Sequence, residues 1–239
     1  MQRLELGPEK LIVPGEYEVG NDEKLSIYFR IFAKRGRRLL PPSLVISARG
    51  YTIDEMLSDE YEFREAEAKS ILEMDIQDFG RGRYKGFWTT KEEIFEHNVR
   101  VTEFSKKCHA TETSLYSGLK GRIEDLLSKD ATHFLIDGNH RSIAATLAHQ
   151  PIVCLEIETP EDIVKIKKLV EKGELPEPHL EKAEIKPLYQ SLYEHLRNKT
   201  KLVATLREGV DSLVENGDLP DYMIKLYKTF TTPTKKHEQ

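Results

Sequence analysis

The architecture turns on residues 133–150, His133-Phe134-Leu135-Ile136-Asp137-Gly138-Asn139-His140-Arg141-Ser142-Ile143-Ala144-Ala145-Thr146-Leu147-Ala148-His149-Gln150. Phe134, Leu135 and Ile136 form a short apolar run cut off by an Asp-Gly pair, the pattern of a buried strand ending in a tight turn. From His140 onward the spacing of Ile143, Ala144 and Leu147, with alanine as a strong helix former, predicts a helix. Asp137, Asn139, His140, Arg141 and Ser142 are packed into the junction between the two. A helix start carries unpaired backbone N–H groups and the positive end of the macrodipole. With Arg141 and His140 beside it, this turn is a candidate pocket for a phosphate or carboxylate. Gly138 gives the backbone freedom at the turn and lets a ligand approach. Ordinary turn and capping chemistry at Asp137-Gly138-Asn139 is the competing reading.

Working outward, Pro151-Ile152-Val153-Cys154-Leu155-Glu156-Ile157 reads as the next strand, and Thr159-Pro160-Glu161-Asp162 as the next helix start. Upstream, a helix over Leu119–Leu127 leads into the central strand. The alternation of helix and strand from Lys91 to Glu158 predicts a compact α/β core.

The run Asp137-Gly138-Asn139-His140-Arg141-Ser142, followed by Ala144-Ala145, resembles the signature turn of the ParB/sulfiredoxin-like superfamily. In that superfamily a Gly-x-x-Arg element after a strand binds nucleotide or phosphate groups. Members include partition proteins that bind CTP, sulfiredoxin, an archaeal ADP-dependent free-serine kinase and nuclease-domain proteins. The Asp-Gly-x-His-Arg form is nearest to the serine kinase and to the nuclease-domain type. Asn139 stands where sulfiredoxin has its cysteine, the acidic position of the partition proteins is absent, and one histidine remains of the kinase's adjacent pair.

The resemblance implies an α/β (α+β) fold with a ParB/sulfiredoxin-like core over 67–158; outside it, the residues themselves predict an N-terminal extension with a β-hairpin and a helix over 1–66, a C-terminal helical bundle over 159–230 and a mobile tail over 231–239. It implies a nucleotide- or phosphate-binding protein, a phosphoryl-transfer enzyme acting as a kinase or nucleotide hydrolase. Gly138, Asn139, Arg141 and Ser142 would hold phosphate. His140 would serve as acid/base or phosphate contact, Asp137 would orient His140 or a metal, and Arg141 would neutralise developing charge. The nucleotide would be ADP, ATP or CTP, with Mg²⁺ as companion and the metal ligands undetermined. The alternative is a DNA-binding ParB-like protein, of nuclease or partition type, and a third class is a nucleotide sensor without turnover.

Elsewhere the residues leave choices open. Ile71–Phe79 followed by Gly80-Arg81-Gly82-Arg83-Tyr84-Lys85-Gly86 is a candidate for the loop that completes such a pocket. Arg81 and Arg83 would supply charge and the glycines converging N–H groups. A flexible linker fits that composition equally. Asp75 and Asp78 precede it, and Asp78 could accept a hydroxyl proton or hold Mg²⁺, or serve only in capping. Leu25, Ile27, Phe29 and Ile31 alternate, which predicts a strand over 24–33. It is followed by the basic turn Lys34-Arg35-Gly36-Arg37-Arg38 and the apolar run Leu44-Val45-Ile46, a hairpin whose tip either touches nucleic-acid phosphates or solubilises the chain. Residues 1–22 read as an irregular lead-in and 108–117 as a polar loop. Thr52–Glu55 and Thr90–Glu93 have capping-box form. Leucine spacing predicts helices between Pro178 and Phe230, either a DNA-reading helix-turn-helix or a packing and oligomerisation element.

Of 239 residues 32% are charged and the net charge is −5. That balance opposes wholesale DNA binding and leaves a local basic patch as the route to DNA. Cys108 and Cys154 match no zinc spacing. No apolar run approaches a membrane span and no signal peptide is recognisable, so the expected location is cytoplasmic.

Overall fold

The structure, a computed structural model, describes residues 1–13, 22–34, 36, 39–80, 90–178 and 184–231. Arg37, Arg38, Arg81, Arg83 and the 232–239 tail lie outside them. The protein is mixed α/β. A six-stranded sheet is ordered β1-β5-β3-β4-β2-β6, from Gln2–Leu6 (β1), Leu11–Val13 (β2), Ser43–Ser47 (β3), His133–Asp137 (β4), Ile152–Ile157 (β5) and Ala204–Thr205 (β6). The helices are Asp22–Ala33 (α1), Ile53–Gly80 (α2), Lys91–Ser128 (α3), Asn139–Leu147 (α4), Pro160–Glu171 (α5), Ile185–Arg197 (α6), Leu206–Asn216 (α7) and Asp221–Thr231 (α8).

The chain forms two compact units, residues 1–50 with 121–239, and residues 51–120. In the first, β4 lies between β3, antiparallel to it, and β2, parallel to it. β5 runs parallel to β3 and antiparallel to β1. One core joins α1, α4, α7 and α8 to the sheet through residues such as Leu25, Phe29, Val45, Leu135, Ala144, Val210 and Met223. Phe134 points to the opposite face, where its ring meets Tyr193 of α6 edge-on at 6.0 Å. Tyr189 of α6 donates its hydroxyl to the Ser47 carbonyl.

In the second unit, α2 and residues 109–120 of α3 run antiparallel. Arg64 Nη2 meets Glu112 Oε1 at 2.8 Å, the Tyr61 and His109 rings lie 4.9 Å apart, and Lys120 Nζ pairs with Asp54 at 2.6 Å. Both helices open as their sequences predict. The Glu55 and Glu93 N–H groups donate to the Thr52 and Thr90 hydroxyls, and each glutamate accepts from the backbone N–H of its threonine, which is the reciprocal cap.

Several expectations are corrected. Residues 24–33 are not a strand but helix α1, so the expected hairpin of this stretch with Leu44-Val45-Ile46 does not form. Leu25, Phe29 and Phe32, at i, i+4 and i+7, are buried together, whereas Ile27 is exposed, and the helical period prevails over the alternation. β3 pairs with β4 and β5 instead. The lead-in contains two strands. Leu11-Ile12-Val13 is a buried run between β4 and β6, and Gln2–Leu6 alternates with period two. Ile71–Phe79 is not a loop, because α2 runs unbroken to Gly80. Glu73, Met74 and Gln77 favour helix, and no glycine or proline interrupts it.

The polar stretch 108–117 is likewise helical. The Thr111 and Thr113 hydroxyls donate to the carbonyls of Lys107 and His109, so the side chains are satisfied within the helix. The C-terminal helices are not a separate bundle: α7 and α8 pack on α4 and complete the main core. No helix among the described residues is long and apolar enough to cross a membrane.

Candidate functional site

β4 delivers Asp137 to the end of the sheet, and Gly138 turns the chain into α4 with φ +101° and ψ 25°. This left-handed backbone suits glycine. The space demands it as well. A Cβ on Gly138 would overlap the Ser43 hydroxyl, approach Ser43 Cβ to 2.8 Å and approach Arg141 Nη2 to 2.9 Å. β3 changes register between Leu44 and Val45, at the point where Leu44 faces Asp137. The local irregularity thus sits beside the turn.

Having no side chain, Gly138 cannot cap α4, and the first turn carries no acid. The N–H groups of Asn139, His140 and Arg141 therefore begin the helix without a side-chain acceptor. Asn139 is exposed and Gly138 is buried. Arg141 is only 5% exposed. Its Nη2 donates to Asp137 Oδ2 at 3.0 Å and to the Pro42 carbonyl at 3.2 Å, while its buried Nε has no partner. A guanidinium held on one edge and unsatisfied on another presents directed donors of the kind that suit an oxyanion.

His140 Nε2 is also buried without a partner. Burial, then the nearby charges of Lys24 and Arg141, hold its imidazole below the ordinary value of 6.5. All three causes favour the neutral form of the ring.

Phe32, Leu40, Pro41, Ser43, Ile152 and Val153 wall a recess at Arg141 with room for about one water molecule. Ser142 is not one of the residues that wall this recess. Its hydroxyl lies 3.0 Å from that of Ser43, both buried, so it fastens α4 to β3 instead of presenting itself to a ligand.

The turn therefore brings together Asp137, Gly138, Asn139, His140 and Arg141. Asp137 orients Arg141, not His140. Asp78 belongs to α2 in the other unit, and Arg81 and Arg83 fall outside the described residues. Sequence reading missed Ser43 and the Pro42 carbonyl; the Pro41-Pro42-Ser43 entry into β3 was their only local signal.

A second polar group lies at the other end of β4. His133 Nδ1 is 2.7 Å from the Thr132 hydroxyl, and Nε2 is 3.1 Å from Glu156 Oε1. It links β4 to β5 across β3. The Thr132 N–H donates to the Lys10 carbonyl and its own carbonyl accepts from Ala48, so the hydroxyl sits on a backbone fixed at both ends, which fits a structural link. Among the described residues, no group of three His, Cys, Asp or Glu side chains is placed to hold a metal ion.

No family model, curated protein or solved structure matches the chain. The chemistry of the β4–α4 turn is therefore the basis for a functional reading.

Proposed function

We propose that the protein binds a phosphate group, carried by a nucleotide, at the start of α4, and that it is a phosphoryl-transfer enzyme of ParB/sulfiredoxin-like kind. The observation that carries this reading is Arg141, buried on the first turn of an uncapped helix with Nε unsatisfied. Burying an unpaired guanidinium N–H is costly, and an anion accepting from it and from the orphan N–H groups would remove that cost. Asp137 and the Pro42 carbonyl hold the guanidinium in place before the ligand arrives, so little ordering remains to be done on binding.

His140 supports the catalytic part. A neutral imidazole on the same first turn of α4 would take the proton of an attacking hydroxyl or water, while Arg141 would offset negative charge on the transferred group. Mg²⁺ would arrive on the nucleotide phosphates, where this ion is usually bound with several waters retained.

The test is a thermal-shift series with inorganic phosphate, ADP, ATP and CTP, each with and without Mg²⁺. At about a hundred times Kd a ligand stabilises by about 2.7 kcal/mol, which moves the Tm of a chain this size by roughly 5–10 °C. Wild type shifts and Arg141→Ala does not, and Arg141→Lys keeps part of the effect as a point charge. Equal shifts in wild type and Arg141→Ala would reject the site. Phosphate release or transfer, lost in His140→Asn while the thermal shift is kept, separates turnover from binding.

A further inference from the structure

The edge of the sheet carries a further signal. Among the described residues β1 has a single strand neighbour, β5, and so forms one edge of the sheet; the opposite edge is the two-residue β6. Short edges are self-protecting, whereas a five-residue edge offers a row of N–H and C=O groups to another strand. Leu4 and Leu6 of β1 are partly buried against the main core, and Gln2, Arg3 and Glu5 are exposed.

We propose that β1 is a self-association edge, pairing antiparallel with β1 of a second copy about a twofold axis at Leu4 and continuing the sheet from one protomer into the next. Its sequence, Gln2-Arg3-Leu4-Glu5-Leu6, selects that register. Along a strand, successive residues turn their N–H and C=O groups to alternate sides. An outward residue must meet an outward residue, so the positions of two paired residues add to an even number.

Three such registers overlap β1 substantially. With Arg3 on the axis, Arg3 faces the partner's Arg3. With Glu5 on the axis, Glu5 faces the partner's Glu5. Only with Leu4 on the axis do opposite charges meet, Arg3 against the partner's Glu5 and Glu5 against the partner's Arg3. In that register Leu4 covers the partner's Leu4 on the other face, and all five residues pair. Like charges directly opposite destabilise a ladder and opposite charges stabilise it. The charges that guard this edge against other strands thus admit one partner, an identical strand. The resulting contact is isologous and closed, so it stops at a dimer.

The experiment is sedimentation of the full chain over a concentration series, with Arg3→Glu, Glu5→Arg, the double variant Arg3→Glu/Glu5→Arg, and an equimolar mixture of the two single variants. Wild type forms a dimer. Each single reversal turns both charge pairs repulsive and raises the dimer Kd about tenfold. The double variant returns to the wild-type Kd. The mixture also associates at wild-type strength, because one chain then carries acids at both positions and the other carries bases at both, so each facing pair is opposite in charge. Hydrogen exchange on unmodified protein provides a measurement independent of variant folding: alternate β1 amides gain protection as concentration rises. A monomer at every concentration up to the solubility limit would overturn the proposal. So would single variants that dimerise as tightly as wild type, a mixture that fails to associate, or β1 exchange independent of concentration.

Discussion

Replacing Gly138 by alanine tests the geometry on which the candidate site depends. Its φ of +101° costs an L-residue about 1–2 kcal/mol. The added methyl also has nowhere to go, with Ser43 Cβ at 2.8 Å and Arg141 Nη2 at 2.9 Å. Overpacking of this kind adds about 1–3 kcal/mol. The sum, about 2–5 kcal/mol, corresponds to a fall in Tm of roughly 4–20 °C for a chain of this length.

Gly217 provides the internal control. It ends α7 at φ +76° with nothing within 4 Å of its would-be Cβ, so Gly217→Ala carries only the backbone cost of about 1–2 kcal/mol. Urea unfolding of both variants isolates the packing part as their difference. Adding Ser43→Ala to Gly138→Ala should recover part of the loss, since it removes the hydroxyl that the methyl meets. If Gly138→Ala were no less stable than Gly217→Ala, the close seating of the turn on β3 and Arg141 would be refuted.

Asp137→Ala should cost about 3 kcal/mol by urea unfolding, at the low end for breaking a buried ion pair because Asp137 is partly open to water. An effect under about 0.5 kcal/mol, the size of an ordinary surface change, would mean that Arg141 does not depend on it. His140 should make stability fall as pH is lowered from 6.5. Its folded imidazole protonates below the ordinary value, so between the folded value and 6.5 the unfolded chain binds more protons and folding is disfavoured. Above 6.5 both states are neutral and the effect vanishes; His140→Asn should flatten the acid limb, and parallel pH profiles would reject the assignment. Of the two thiols, Cys154 is buried and its pKa is pushed up by that burial to about 12, whereas Cys108 is half-buried. A disulfide reagent at pH 8 should modify Cys108 quickly and Cys154 only on unfolding, and equal rates in native protein would contradict the packing of β5.

Local sequence determined the pieces whose signals are short in range. Phe134–Ile136 stopped by Asp137-Gly138, the alanines of α4 and the threonine starts of α2, α3 and α5 each specify a strand, a start or a stop by chemistry within about four residues. The central β4–turn–α4 unit, β3, β5, α5 and the C-terminal helices were legible for that reason, and so were Gly138 and Arg141 as residues of interest.

The tertiary structure alone decided what depends on distant neighbours. Leu25–Ile31 satisfies both a strand and a helix pattern, and burial of Leu25, Phe29 and Phe32 in the shared core selects the helix. Gln2–Leu6 and Leu11–Val13 become strands because β5 and β4 offer them edges. Arg141 is held by a carbonyl 99 residues away, and the Ser142 hydroxyl is engaged by a serine equally distant. A side chain's partners are fixed by which surfaces the core brings together, and that information is spread over the whole chain and not contained in the motif.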